Sequence, residues 1–148
     1  MIRFRDAARE DVPAIVELLR DDHLGAAREG GDMSIYLNAF DRLRASELQM
    51  LVVGAEEDEV VACYQLTLLD GLSLRAARRA QIEGVRVAAH LRGSGVGAAM
   101  MRDAEARARA AGCRLVQLTT HRSRTRAHAF YERLGFTASH IGFKRDLT

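Results

Sequence analysis

The chain has 148 residues, of which 48% are hydrophobic and 28% charged, with a formal net charge of +2. That length predicts one domain, 1–148, the composition excludes a disordered chain, and no apolar run approaches the ~18–20 residues of a bilayer-spanning helix. The charge is segregated: residues 1–70 hold 15 acids against 7 arginines, and residues 71–131 hold 12 arginines against Glu83, Asp103 and Glu105. Ile2-Arg3-Phe4-Arg5 alternates apolar and polar residues, as a half-buried strand does. Asp11 is placed to cap a helix with Pro13 in its first turn and Val12, Ile15, Leu18 and Leu19 as its apolar stripe. The polar, Gly-rich stretch 21–32 reads as a loop, and a second helix is predicted over about 33–45 with Tyr36, Leu37, Phe40 and Leu43 inward.

The period then shifts towards strands. Residues 48–54 and 60–69 flank the acidic tip Glu56-Glu57-Asp58-Glu59 as a hairpin, and a third strand is predicted over 79–87. The glycine run 93–97 opens a helix with Val96, Met100, Ala104 and Ala108 on its apolar side, stopped by Gly112. A short strand over 115–118, a helix near 125–134 ended by Gly135, and a final strand over about 138–145 complete the chain. The order β-α-α-β-β-β-α-β-α-β predicts one α/β domain, a mixed sheet with helices on its faces.

Two cysteines, Cys63 and Cys113, form neither a disulfide framework nor a paired-Cys metal motif, and predict free thiols in a reducing cytosol. The start, Met1 to Asp6, lacks a signal-peptide core, so the expected location is cytoplasmic. His23, His90, His121, His128 and His140 are scattered without metal-ligand spacing, so no metal is expected.

Arg92-Gly93-Ser94-Gly95-Val96-Gly97-Ala98 stands between a predicted strand and a predicted helix. Alternating glycines let the backbone close on a ligand and aim several N–H groups at one point. The helix start adds about half a unit of positive charge, so such a loop holds an anion, most often a phosphate. Gly93-x-Gly95-x-x-Ala98 also satisfies the loose dinucleotide pattern, but three features oppose that reading. The loop comes late in the chain, five residues separate Val87 from Gly93, and no Asp or Glu occurs from 106 to 131. The ribose-binding acid of a dinucleotide fold should fall there, about 20 residues on. No Gly-Lys-Ser/Thr follows the loop, which excludes a Walker A site.

The same loop resembles the pyrophosphate loop of the GNAT family of N-acetyltransferases, Gln/Arg-x-x-Gly-x-Gly/Ala, matched by Arg92, Gly95 and Gly97. Glu83-x-Val85-x-Val87 resembles the family's strand that pairs with the pantetheine arm of acetyl-CoA. Ala127-His128-Ala129-Phe130-Tyr131-Glu132-Arg133-Leu134-Gly135-Phe136 resembles its second signature, Ala-x-x-Phe/Leu-Tyr-Glu-x-Leu-Gly-Phe. The resemblance covers nearly the whole chain and implies an α/β (α+β) fold with a mixed, mostly antiparallel central sheet and helices on both faces. It implies an N-acetyltransferase that moves an acetyl group from acetyl-CoA to a primary amine, on a small molecule or a peptide, by direct attack in a ternary complex.

Such a transfer requires a base for the amine, a polarised thioester carbonyl and a proton for the departing thiolate. On the resemblance, Glu83 is the base, and the competing reading is an ion pair with Arg78, Arg79 or Arg86. Gln81, two residues earlier, stands where other members place their base and cannot accept a proton. Tyr131 matches the tyrosine near the CoA sulfur; a phenol with a pKa of about 10 can donate to a thiolate. Its competing reading is an apolar anchor beside Phe130 and Leu134. Val85, Arg86 and Val87 would line the cofactor arm, the two valines through their backbone, and Arg92, Gly93, Ser94, Gly95, Val96, Gly97 and Ala98 would meet the pyrophosphate. Arg122, Arg124 and Arg126 could reach CoA phosphates. Arg124 stands where many members carry Asn, so that contact falls to Arg124 or to Ser123.

The first helices shape the acceptor pocket in this family, which here implies His23, Asp32 and Tyr36 among Asp21, Asp22 and Glu29. Anionic lining suits a protonated amine. A homodimer is an assembly the resemblance allows. No membrane partner is expected. Nor is a nucleic-acid partner, since 71–131 lacks interleaved aromatics until Phe130 and Tyr131. The rival to an enzyme is an acyl-CoA-binding sensor or partner module without turnover.

Overall fold

The computed structural model describes residues 1–148, which divide into two compact units, Met1–Gln117 and Leu118–Thr148. In the first unit, the alternating strand β1 (Ile2–Asp6) pairs antiparallel with β2 (Gln49–Glu56). The acidic tip turns β2 into β3 (Glu59–Leu69), and β3 pairs antiparallel with β4 (Arg79–Val87). β5 (Leu115–Leu118) completes a five-stranded sheet in the order β1-β2-β3-β4-β5. The predicted mixed class, with a mostly antiparallel sheet, is the observed one.

Alternation along β3 places helices on both faces. Cys63 and, across from it, Val53 meet Ile15 and Leu18 of α1 (Val12–Arg20). Val12 and Val16 on that helix pack with Phe40 of the helix Met33–Ala45. The other face carries Tyr64, Leu66, Ala80 and Ile82, all at most 1% exposed, under the helix Val96–Ala110 with its buried Met100, Met101, Ala104 and Ala108. There the Tyr64 hydroxyl donates to Asp103 Oδ2 at 2.6 Å, and Arg107 ties Asp103 to Asp6 of β1. Burying each large apolar side chain in these layers contributes about 1.5–3 kcal/mol.

Four expectations differ from the structure. Residues 21–32 are not all loop, because α2 (His23–Arg28) forms within them. Asp22 accepts from the Gly25 amide at 2.6 Å, and Gly25 lies so close to the Leu19 carbonyl that a Cβ there would sit 1.8 Å from its oxygen. The following helix, α3 (Met33–Ala45), is as predicted. A short helical turn, α4 (Ser73–Ala76), precedes β4, with Leu74, Arg75 and Ala76 in the left-handed region. The glycine-led helix is therefore α5 (Val96–Ala110) and the last is α6 (Thr125–Arg133). The predicted strand over 138–145 is absent. A strand needs a hydrogen-bonding neighbour, and the alternating Ile141 and Phe143 stand 82% and 93% exposed in a tail that pairs with none.

Asp11 also departs from its expected role as a side-chain cap. Its carboxylate, 11% exposed, accepts two bonds from Arg5 at 2.7 and 3.1 Å and one from the Ala8 amide at 2.7 Å. The Arg5 guanidinium, helped by the Ala8 amide and opposed by burial, holds the Asp11 carboxyl below its ordinary range. A carboxylate with a depressed folded pKa stabilises above its unfolded pKa of about 3.9 and loses that contribution as pH falls through the folded value. Asp11→Asn should therefore cost about 1–3 kcal/mol at pH 7. In urea denaturation, that gap from wild type should close on acidification below about pH 4; a gap independent of pH would contradict the assignment.

Candidate active site

The β3–β4 register breaks where the chemistry is expected. Gln65 faces Glu83 and Cys63 faces Arg86, so Tyr64 alone stands opposite Gly84 and Val85. This is a β-bulge, which removes two residues of β4 from the ladder and redirects their backbone groups. Gly84, at φ +63°, takes the left-handed turn the bulge requires. The buried Cys63 thiol donates to the Gly84 carbonyl at 3.5 Å, and burial pushes its pKa up to about 12. Cys63 is thus a protonated brace for the bulge, and its chemistry is not that of a nucleophile.

Glu83 is exposed immediately before the bulge. None of the three arginines that compete for it pairs with it. Arg78 grips Asp70 at 2.7 and 3.0 Å, Arg79 donates to the Gln117 side chain at 3.0 Å, and Arg86 lies 3.4 Å from Asp22. The Glu83 carboxylate has no hydrogen bond or ion pair within the protein.

Downstream of the bulge, the Val85 carbonyl accepts from Arg86 Nη1 at 2.8 Å. Val87 remains paired with Ala62, and its carbonyl accepts from Arg92 Nε at 3.2 Å. Arg92 also donates to the Asp21 carbonyl at 3.0 Å and approaches its carboxylate at 3.3 Å. Its guanidinium therefore braces the loop against the end of α1. Gly93 and Gly95 have φ of +79° and +91°, and Gly95 is the N-cap of α5. A Cβ added at either glycine meets nothing within 4 Å, so the space in front of the loop is open. Ser94 folds back on the Leu91 carbonyl through both its amide and its hydroxyl. The first helical bond runs from the Ala99 amide to the Gly95 carbonyl, so the amides of Val96, Gly97 and Ala98 precede the first helical donor. Open space, forward-facing amides and a 15-residue helix dipole fit a pyrophosphate.

The first helices spend their acids internally. Asp22 caps α2, and Asp32 caps α3 by accepting from the Ser34 amide at 2.9 Å, a bond that holds its carboxyl below the ordinary range. The Tyr36 hydroxyl donates to Glu29 at 3.1 Å and accepts from the Gly30 amide at 2.8 Å. His23 is exposed at the start of α2.

In the second unit, Arg124 is the N-cap residue of α6, and its amide bonds to the His121 carbonyl at 2.9 Å. His121 Nδ1 and Ser123 Oγ lie 2.8 Å apart, and His128 Nε2 lies 3.1 Å from the His121 carbonyl. Both histidines thus have local structural partners. Tyr131 is half-buried, edge-on to Phe130 and Phe136 with centroids 5.2 and 5.7 Å away.

Sequence patterns missed the neighbours that the register supplies to Glu83. Gln65 lies directly across from it, and Gln65 in turn bonds to Gln49 of β2 at 3.1 Å. No local signal announces a cross-strand partner. No group of three or more His, Cys, Asp or Glu is arranged to hold a metal, and no helix is long and apolar enough to cross a membrane.

Comparison with known proteins places the fold and the family. A structure of a transcriptional regulator from Bacillus halodurans C-125 is 37% identical, covers 99% of this chain and 100% of its own, and superposes with a TM-score of 0.95. A protein of Agrobacterium tumefaciens strain C58, provisionally named an acetyltransferase, is 29% identical over 97% of this chain and 99% of its own, with a TM-score of 0.87. The aminoalkylphosphonate N-acetyltransferase of Salmonella typhimurium strain LT2 is 37% identical over 67 residues, a match taking in 45% of this chain and 44% of that curated relative. The sequence model of the acetyltransferase (GNAT) family matches residues 12–136, from α1 through the second signature. The chain belongs to the GNAT acetyltransferase family.

Proposed function

We propose that this protein is an N-acetyltransferase that transfers the acetyl group of acetyl-CoA to a primary amine by direct attack in a ternary complex, the 148 residues acting as one domain. The observation that carries this reading is the Glu83 carboxylate, unpaired beside a bulge that takes Gly84 and Val85 out of the ladder. Acetyl-CoA supplies the thioester and a pyrophosphate. The Val96, Gly97 and Ala98 amides would hold the pyrophosphate, with Gly93, Ser94 and Gly95 giving it room and Arg92 holding the loop in place. Val85 and Val87 would offer backbone groups to the cofactor arm, Arg86 would fix the bulge from the side, and Arg124 or Ser123 would supply the contact other members make through Asn. Glu83 would take the amine proton, directly or through one water. Tyr131 would give a proton to the sulfur as the carbon–sulfur bond breaks and the carbon–nitrogen bond forms. His23, Asp32 and Tyr36 would stand on the acceptor side of the first unit. The Salmonella relative, named for acting on aminoalkylphosphonates, is consistent with a small amine as acceptor.

We place the protein in the cytoplasm, with no metal. Its basic segment is a poor nucleic-acid surface. Five of its twelve arginines (Arg78, Arg86, Arg92, Arg107 and Arg109) are already ion-paired with carboxylates. A second reading, for which the Bacillus halodurans relative's name as a transcriptional regulator leaves room, is a module that binds acyl-CoA without turnover and acts through a partner, a second copy of the chain included.

Thiol-release kinetics separate the two. The enzyme reading expects CoA release that depends on both acetyl-CoA and an amine, with intersecting initial-velocity patterns; parallel lines would indicate a covalent acyl-enzyme instead. Tyr131→Phe should lower kcat about 10- to 100-fold with acetyl-CoA affinity retained. Tight acetyl-CoA binding with no release for any amine would favour the module.

A further inference from the structure

Around Glu83 the sheet face that carries Cys63 changes character. Towards α1 it is apolar, with Val53 and Cys63 buried against Ile15 and Leu18. Past the bulge it becomes a block of neutral hydrogen-bonding side chains. Gln65 faces Glu83, Thr67 faces Gln81, and Gln49 faces Thr67, so all five share one face on three adjacent strands. Cross-strand partners have Cβ atoms about 4.5–5.5 Å apart, and Gln81 lies about 7 Å along β4 from Glu83. The four neutral residues are half-exposed. At interleaved positions the opposite face is fully apolar, with Leu66, Leu68, Ala80 and Ile82 no more than 5% exposed. The polarity is therefore confined to one side of the sheet.

The block is also held in order. Gln65 Nε2 donates to Gln49 at 3.1 Å and approaches Thr67 Oγ1 at 3.4 Å, while Gln81 Oε1 accepts from Gln117 at 2.7 Å. These bonds use the Gln65 amide nitrogen and the Gln81 carbonyl oxygen. That leaves the Gln65 side-chain carbonyl as an acceptor and the Gln81 amide nitrogen as a donor for a ligand. We propose that Gln49, Gln65, Thr67 and Gln81 form the floor on which the acceptor lies. The acceptor is then a primary amine bearing hydroxyl or carbonyl groups close to its amino-bearing carbon. This inference rests on the acetyltransferase reading above.

The charges narrow the class. Glu83 is the one carboxylate on the block, enough for a single ammonium group and not for a polyamine. Arg79, the nearest cation along β4, donates to the Gln117 side chain at 3.0 Å, and the four floor side chains are themselves neutral. An alkylamine would leave the Gln65 carbonyl and the Gln81 amide without partners once water is displaced, and that penalty is what rejects it.

A matched pair of amines tests the assignment, 2-amino-1,3-propanediol against pentan-3-amine, which have the same shape with and without two hydroxyls. Thiol release is compared as kcat/KM for the unprotonated amine. The diol should be favoured at least about tenfold. That preference should collapse towards unity in Gln65→Leu and in Gln81→Met, with acetyl-CoA affinity held and folding checked by thermal melting. Equal or better turnover of pentan-3-amine or of 1,5-diaminopentane, or an undiminished preference in both variants, would overturn the floor and leave the acetyltransferase reading standing. Absence of thiol release with all three amines and a broader panel, with acetyl-CoA still bound, would overturn the enzyme reading and this one with it.

Discussion

Replacing Glu83 by Gln should lower kcat by about 10²- to 10⁴-fold, the usual contribution of a positioned general base. Gln has nearly the same shape, so the bulge at Gly84 and the loop at 93–97 should persist, and calorimetry should return wild-type acetyl-CoA affinity. The size of the effect follows from the carboxylate's surroundings. Arg78, Arg79 and Arg86 are each committed to another partner, so a negative charge remains available to a protonated amine. Were Glu83 a structural ion-pairing group, Glu83→Gln would change thermal stability and leave kcat near wild type. That outcome would remove the base from the mechanism.

The second large effect is expected at the glycine loop. Gly95, at φ +91°, caps α5 and sets the direction of the amides that follow. A Cβ there meets nothing within 4 Å, so the cost expected of a valine is backbone strain of about 1–3 kcal/mol and a side chain standing in the ligand's space. The loop can relieve that strain by turning its amides away from their common point. Gly95→Val should therefore weaken acetyl-CoA binding by about ten- to a hundredfold, with a modest fall in melting temperature. A variant that binds acetyl-CoA as tightly as wild type would show that the loop holds no pyrophosphate.

The uneven charge along the chain turned out to serve the fold as well as its ligands. Asp6, Asp21, Asp22 and Asp70 from the acidic part pair with Arg107, Arg92, Arg86 and Arg78 from the basic part. Those pairs join residues up to 101 positions apart, which no local pattern could announce. They also explain why Asp21 and Asp22, which suggested an anionic acceptor pocket, are engaged with the glycine loop and β4 instead. Much else was legible because it is local. The alternation in 60–69, the apolar stripe on 96–108 and the Gly-rich loop each carry their own period or backbone requirement.

Other features depend on partners the chain order does not show. The bulge at Gly84 exists only relative to β3, and Gln65 becomes a neighbour of Glu83 only through register. The tail from 137 has a strand-like alternation at Ile141 and Phe143, but alternation describes a face and does not supply a neighbouring strand. α2 was hidden because Gly25, which reads as a loop residue, is required there by close packing against Leu19.

The most direct test of the central claim is mass spectrometry of the protein incubated with acetyl-CoA, with and without the hydroxylated amine. Direct transfer predicts one acetyl group on the amine nitrogen, an equal amount of free CoA, and no acetyl group on the protein at any time. An acetylated protein formed in the absence of amine, or bound acetyl-CoA that survives every amine intact, would contradict it.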